Sequence, residues 1–311
     1  MKKLALGLIA LVALLYGVAL LRPKLTMAEL GIDAADAARC EAPQLPVYVR
    51  PGYDRRVAAN DYLPYAIAAL NVYPDGRPKG FTLDKHSPEW RKIDTRTPSS
   101  SLAMDVYHRD TPARLEVLVA FRGTQSLDAS DWLANMSWAL AWAPIATRYD
   151  EARAEFREVR KAAFKTAGTK KVAFIAAGHS LGGGLAQHIA YAYPCVSAAI
   201  FNSSFVTNQF RLAEPNTKAQ IIHVFEDLDE LTRLRRLLFI DKESETYKHY
   251  RQDAVNDRVE FQHSMVGLGV GMARQVLRCQ EKRAECPVPA SETRVRSLYC
   301  SSWGKGGPLC K

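Results

Sequence analysis

Apolar positions change their spacing several times along the chain, and each change predicts a different element. Residues 57–72 place Leu63, Ala66, Ala69 and Leu70 near helical spacing, which predicts an amphipathic helix. Residues 102–107 and 115–121 are β-rich runs separated by Asp110-Thr111-Pro112, which predicts a hairpin. Residues 152–167 read as a charged helix. Residues 171–177, 196–201 and 221–225 are short, continuous apolar runs, the pattern of strands buried on both faces. Residues 185–193 read as a helix stopped by Pro194. Residues 25–56 read as a linker with one short helix over 27–38, and 74–100 as loop. Strands alternating with helices predict an α/β fold with a mostly parallel central sheet flanked by helices. No internal repeat is present.

The N-terminus breaks from this body. Met1-Lys2-Lys3 precedes an uncharged apolar run over 4–21, closed by Arg22-Pro23-Lys24. A basic start followed by an apolar run predicts export, with residues 1–24 either a cleaved signal peptide or a retained anchor. The chain of 311 residues carries a net charge of +9. The leader's four cations leave +5, and the tail from Arg274 to Lys311 holds another +5, so the body between is near neutral. No basic stripe with interleaved aromatics marks a nucleic-acid binder. A membrane surface is the more natural partner.

The six cysteines agree with an exported protein, periplasmic, membrane-anchored facing outward, or secreted. Four of them fall in a Pro-, Ser- and Gly-containing basic tail over 271–311. There Cys279–Cys286 with Cys300–Cys310 is the favoured pairing. Cys40 and Cys195 are either a third pair or two buried thiols. The irregular spacing, without a C-x-x-C or a nearby His, does not fit zinc.

One segment carries chemistry. Gly178-His179-Ser180-Leu181-Gly182-Gly183 fits G-x-S-x-G, lies after an apolar strand and opens a helix. That is the strand–turn–helix of a nucleophile elbow, in which the residues two before and two after the serine must be small. A serine hydroxyl needs a base and an orienting acid, in the chain order Ser, acid, His. Of seven histidines only His249 and His263 follow every candidate acid, and His263 is favoured because it precedes a helix-like run. The acid comes from the loop after the strand 221–225, with Asp229 preferred to Asp227. Phe121-Arg122-Gly123-Thr124 ends a strand, so Thr124 and the Leu181 N–H are the candidate oxyanion-hole donors.

Taken together, Phe121-Arg122-Gly123-Thr124, Asp131-Trp132-Leu133-Ala134-Asn135, the serine motif, Asp229-x-x-x-Arg233-Leu234 and His263-Ser264-Met265 resemble the class 3 lipases, the fungal triacylglycerol lipase-like family. The resemblance spans roughly 57–270. It implies an α/β-hydrolase with Ser180 as nucleophile, Asp229 as acid, His263 as base, and Thr124 with Leu181 as oxyanion hole. It also implies a lid in part of 125–150. Where the family has Asp-Pro-Val-Pro, this chain has Asp229-Glu230-Leu231-Thr232. Trp132, Trp138 and Trp142 fall in or beside that lid segment and read either as core or as an apolar acyl groove. The expected activity is carboxylic-ester hydrolysis on lipid esters, without cofactor or metal. Two other readings stay open: a catalytically idle membrane-anchored interaction module, and a secreted phospholipase toxin.

Overall fold

Seven strands form one sheet whose spatial order is the order of the sequence. The computed structural model describes residues 24–47, 55–74, 81–99, 102–123, 142–204, 206, 212–213, 215–237, 246–252, 263–281, 295–297, 299–300 and 310. Helices α1 (Ala34–Arg39), α2 (Arg55–Asn71) and α3 (Leu83–His86) come first. Strands β1 (Arg91–Ser99), β2 (Leu102–Asp110) and β3 (Arg114–Phe121) come next. Then come α4 (Trp142–Ala167), β4 (Lys171–His179), α5 (Leu181–Ala192), β5 (Val196–Phe201) and β6 (Ile221–Glu226). Helix α6 (Glu230–Leu237), β7 (Tyr247–Gln252) and α7 (Met265–Glu281) complete the order. The pairs β1–β2 and β2–β3 are antiparallel, and β3 to β7 run parallel.

This order decides which helix covers which face. Crossovers between parallel neighbours are right-handed, so a sheet that always steps the same way sends its crossover helices to one face. Helices α4 and α5 occupy that face. There Val117, Val119 and Phe121 of β3 and Val172, Phe174 and Ala176 of β4 pack with Phe156, Phe164, Leu185 and Ile189. The opposite face must be covered by chain from before and after the parallel set. Helices α2 and α7 do so, over Leu118, Ala120, Ile175, Ala177 and Val224. The alternation within β3 and β4 is the period-two pleat, and both of its faces are buried.

Helix α2 departs from the amphipathic reading. From Ala58 onward it is buried almost all round, because the sheet lies on one side and α7 on the other. It also carries Pro64 in its interior, a position that removes one helical hydrogen bond. Packing on both sides holds it. The segment read as loop over 74–100 contains β1, whose residues are exposed or half-exposed throughout, so no apolar alternation announces it.

Residues 24–47 are laid against the domain. Leu25 bridges to Leu212 and Cys40 to Val172. Leu30 and Leu45 are buried, and Ser197 Oγ donates to the Pro43 carbonyl at 2.9 Å. A disulfide joins Cys40 to Cys195, and a second joins Cys300 to Cys310. Cys286, the side chain of Cys279 and the apolar run 4–21 lie outside the described part, and with them the expected Cys279–Cys286 pair. No helix among the described residues is long and apolar enough to cross a membrane.

Candidate active site

Strands β3, β4, β5 and β6 end at the same edge of the sheet, and the site is built from the segments just beyond those strand ends. The register pairs Phe121 with Gly178 and His179 with Phe201. Beyond β4 the chain must turn at once into α5. Ser180 makes that turn with φ of 56° and ψ of −126°, outside the relaxed regions for a residue with a Cβ. It is held there by its N–H, which donates to the Phe201 carbonyl at 3.1 Å, and by its carbonyl, which accepts from Ser204 N–H at 3.0 Å. Gly178 and Gly182 make the bend possible. A Cβ on Gly178 would run into the Gly182 carbonyl, and one on Gly182 into the Phe121 carbonyl.

Ser180 stands at the N-cap position of α5, yet its hydroxyl makes no capping bond. It meets His263 instead, Oγ to Nε2 at 2.9 Å. The other ring nitrogen, Nδ1, lies 2.5 Å from Asp229 Oδ1. Asp229 is wholly buried. Its second oxygen, Oδ2, accepts the Thr232 N–H at 2.7 Å, so the residue caps α6 with one oxygen and holds the imidazole with the other. Asp227, the other candidate acid, turns to Arg251 at 3.2 Å. His263 lies just before α7, where Ser264 accepts the Gly267 N–H and fixes the helix start. Ser180 is 3% exposed, whereas the His263 side chain is 21% exposed, so the ring forms the outer wall of the site.

His249, the alternative base, is on β7 among the rings of His223, Phe225 and Tyr247. His188 accepts from Arg153 at 2.7 Å on the α4–α5 face. Leu181 opens α5 beside Ser180, and an N–H in the first helical turn has no intrahelical acceptor. Gly123 passes so near that a Cβ on it would sit 3.2 Å from Ser180 Cβ. Thr124 is the next residue in the chain. Thr124, Trp132 and Trp138 lie outside the described residues. Trp142 begins α4, and its side chain also falls outside the described part.

Two further residues belong to the site, and sequence reasoning misses both. His179 is buried and donates from Nε2 to the His263 carbonyl at 2.8 Å. Tyr73, two residues past α2, places its hydroxyl 3.2 Å from His179 Nδ1 and accepts the Gly123 N–H at 2.9 Å. Burial, and then the proximity of His263, hold His179 well below the ordinary histidine range, so it is neutral. Burial raises the Tyr73 phenol, so it keeps its proton. A ring adjoining the serine in sequence cannot easily face the serine hydroxyl, which argues against His179 as a base. The structure places that ring against the backbone of His263. No sequence signal marks Tyr73, which is far from the motif along the chain. Among the described residues, no group of His, Cys, Asp and Glu is arranged to hold a metal.

A family model described as phospholipase-like, the Tle-like phospholipase domain, matches residues 64–223. That span includes β3, β4 and Ser180 and stops before Asp229 and His263. No curated protein matches the chain. Among solved structures, a mutant form of MDLA from Penicillium cyclopium is similar at 17% identity and a TM-score of 0.39. The match covers 68% of this chain and 83% of that one, a likeness too slight to carry any inference.

Proposed function

The chain belongs to the family of Tle-like phospholipase domains, and from that premise we propose that it hydrolyses acyl esters of phospholipids through an acyl-enzyme on Ser180. The observation that supports this reading is the unbroken line from Asp229 through both nitrogens of His263 to the Ser180 hydroxyl. The finer reading is an α/β-hydrolase of the class 3 lipase type over 57–270, with 271–311 a Cys-rich extension. The sheet, the tight turn at Ser180 and the motifs shared with that family support it.

In this reading His263 Nε2 takes the proton of Ser180 as Oγ attacks the ester carbonyl. Asp229 holds the ring in the tautomer with Nδ1–H and stabilises the imidazolium that forms. The oxygen that gains negative charge is stabilised at the start of α5, where the helix N-terminus favours an anion, with the Leu181 N–H and Thr124 as its donors in this reading. His263 then gives its proton to the departing alcohol. A water, deprotonated by the same nitrogen, attacks the acyl-serine; the acyl–Oγ bond breaks, His263 returns the proton to Ser180 Oγ, and the fatty acid leaves. Every proton is handled by His263, and the chemistry calls for no metal or organic cofactor.

The paired cysteines and the family agree with a location outside the reducing cytoplasm. The reading places residues 1–24 as the signal or anchor that takes the protein there, to the periplasm, the outer face of a membrane or the medium. It makes a lipid surface the partner.

The test is fatty-acid release from phosphatidylglycerol and phosphatidylethanolamine vesicles by the wild type and by Ser180→Ala. The expected result is turnover by the wild type and a loss of at least about a thousandfold in the variant, with an unchanged melting profile. Undiminished turnover by the variant would remove Ser180 from the mechanism.

A further inference from the structure

We propose that Tyr73 and His179 are positioning residues that lock the loop carrying the base to the strand end beside the nucleophile. The inference rests on the reading of Ser180 and His263 as nucleophile and base. It concerns how those groups are kept in register, which that reading leaves open.

The directions of the hydrogen bonds come from the atoms themselves. A carbonyl only accepts, so the Nε2 of His179 that meets the His263 carbonyl at 2.8 Å carries the proton. Nδ1 of the neutral ring is then an acceptor, and the Tyr73 hydroxyl 3.2 Å away is its donor. The same hydroxyl accepts the Gly123 N–H at 2.9 Å. The result is a single directed line, Gly123 N–H to Tyr73, Tyr73 O–H to His179, His179 N–H to the backbone of His263. Each of these atoms has the partner its chemistry demands.

The line joins three separate pieces of chain. Gly123 lies two residues beyond β3, so near Ser180 that a Cβ on it would crowd the serine, and directly before the proposed oxyanion residue Thr124. His179 is the last residue of β4, fixed by the sheet. His263 lies just before α7, and the hydrogen bonds of its ring do not by themselves fix where its backbone sits. The bond from His179 ties that backbone to the sheet. A displacement of about 1 Å in a reacting group costs about a hundredfold in rate. The neutrality of His179 also matters. Its ring centroid is 4.8 Å from that of His263, so a proton there would oppose the imidazolium that catalysis requires. No proton moves along the line. It sets geometry.

The test uses the full chain and three variants. Tyr73→Phe removes the hydroxyl. His179→Gln keeps an N–H near the position of Nε2 and has no acceptor at the position of Nδ1. His179→Ala loses both. The measured quantities are kcat and KM on a soluble chromogenic ester, the second-order rate of labelling by a fluorophosphonate, and the melting temperature. Tyr73→Phe and His179→Gln are each expected to lower kcat roughly five- to tenfold with KM unchanged, and the double variant to lose no more than either single one. His179→Ala is expected to lose roughly a hundredfold, with Gln at the same position recovering most of it. The Gly123 amide, seen by NMR after glycine-selective labelling, is expected to exchange faster in Tyr73→Phe, a readout that does not depend on activity.

Wild-type kcat and labelling rate in Tyr73→Phe would overturn the inference while leaving Ser180 and His263 in place. So would independent, additive losses in the double variant. A wild-type protein that is folded and takes no label on Ser180 would overturn the underlying reading and this inference with it.

Discussion

Ser180 carries the cost of the site. A left-handed φ in a residue with a Cβ is strained by about 1–3 kcal/mol and persists only where the surroundings enforce it. Here they are Gly178, Gly182 and the two backbone bonds to β5 and the chain beyond it. Gly182→Ala is therefore expected to abolish hydrolysis and to lower stability by more than about 2 kcal/mol, measured by urea unfolding, because the new Cβ meets the backbone of β3. The motif is legible in sequence because small residues at fixed offsets are needed wherever this turn occurs. The acid is legible only as a loop. Glu226, Asp227, Asp229 and Glu230 all fall in it, and of the two preferred ones the structure turns Asp227 to Arg251 and Asp229 to His263. Asp229→Asn is expected to lose about 10³–10⁴-fold in kcat, and Asp227→Asn less than threefold. Equal losses in the two would contradict the assignment. Tyr73 is illegible because its part is set by where α2 ends over the sheet, a tertiary fact.

At the scale of elements, strands buried on both faces are the easiest to read. β4, β5 and β6 are apolar runs in sequence and buried runs in the structure. β1 is hidden for the opposite reason: its residues face water, and its charges are used in ion pairs such as Lys92–Asp105 and Arg96–Glu155. A charged, proline-containing strand at a sheet edge also discourages pairing with another chain. Helix α2 misleads because period alone does not tell a one-sided helix from one enclosed between sheet and helix. Its partner α7 seats His263 at its N-terminus, so the packing of α7 is part of the site. Leu268, wholly buried one turn beyond His263, makes the link testable. Leu268→Ala is expected to cost about 2–5 kcal/mol in urea unfolding and to lower kcat more than KM.

Across the whole molecule, the Cys40–Cys195 bond spans 155 residues and ties the N-terminal segment to the start of β5. Breaking it by Cys40→Ser with Cys195→Ser is expected to cost about 2–5 kcal/mol, seen as a lower melting temperature that reductant shifts less than it shifts the wild type's. Protons act on the whole fold as well. His179 and His108 are both held below the ordinary histidine range, chiefly by burial. In the unfolded chain they take up protons near pH 6.5, while in the folded protein they resist doing so. The unfolded state therefore binds more protons as pH falls below about 6.5, and stability drops in that window. Above it their contribution is complete. Melting temperatures between pH 8 and pH 5 are expected to fall on the acid side, less steeply in His179→Gln.

The most direct measurement is the site of covalent capture by a fluorophosphonate, mapped by peptide mass after labelling of the folded wild-type protein. A single adduct on Ser180, absent from Ser180→Ala and formed more than about a hundredfold more slowly in an otherwise folded His263→Ala, is the result expected of a serine activated by that ring. An adduct on another residue, or none at all while the same preparation releases fatty acid from phospholipid, would contradict it.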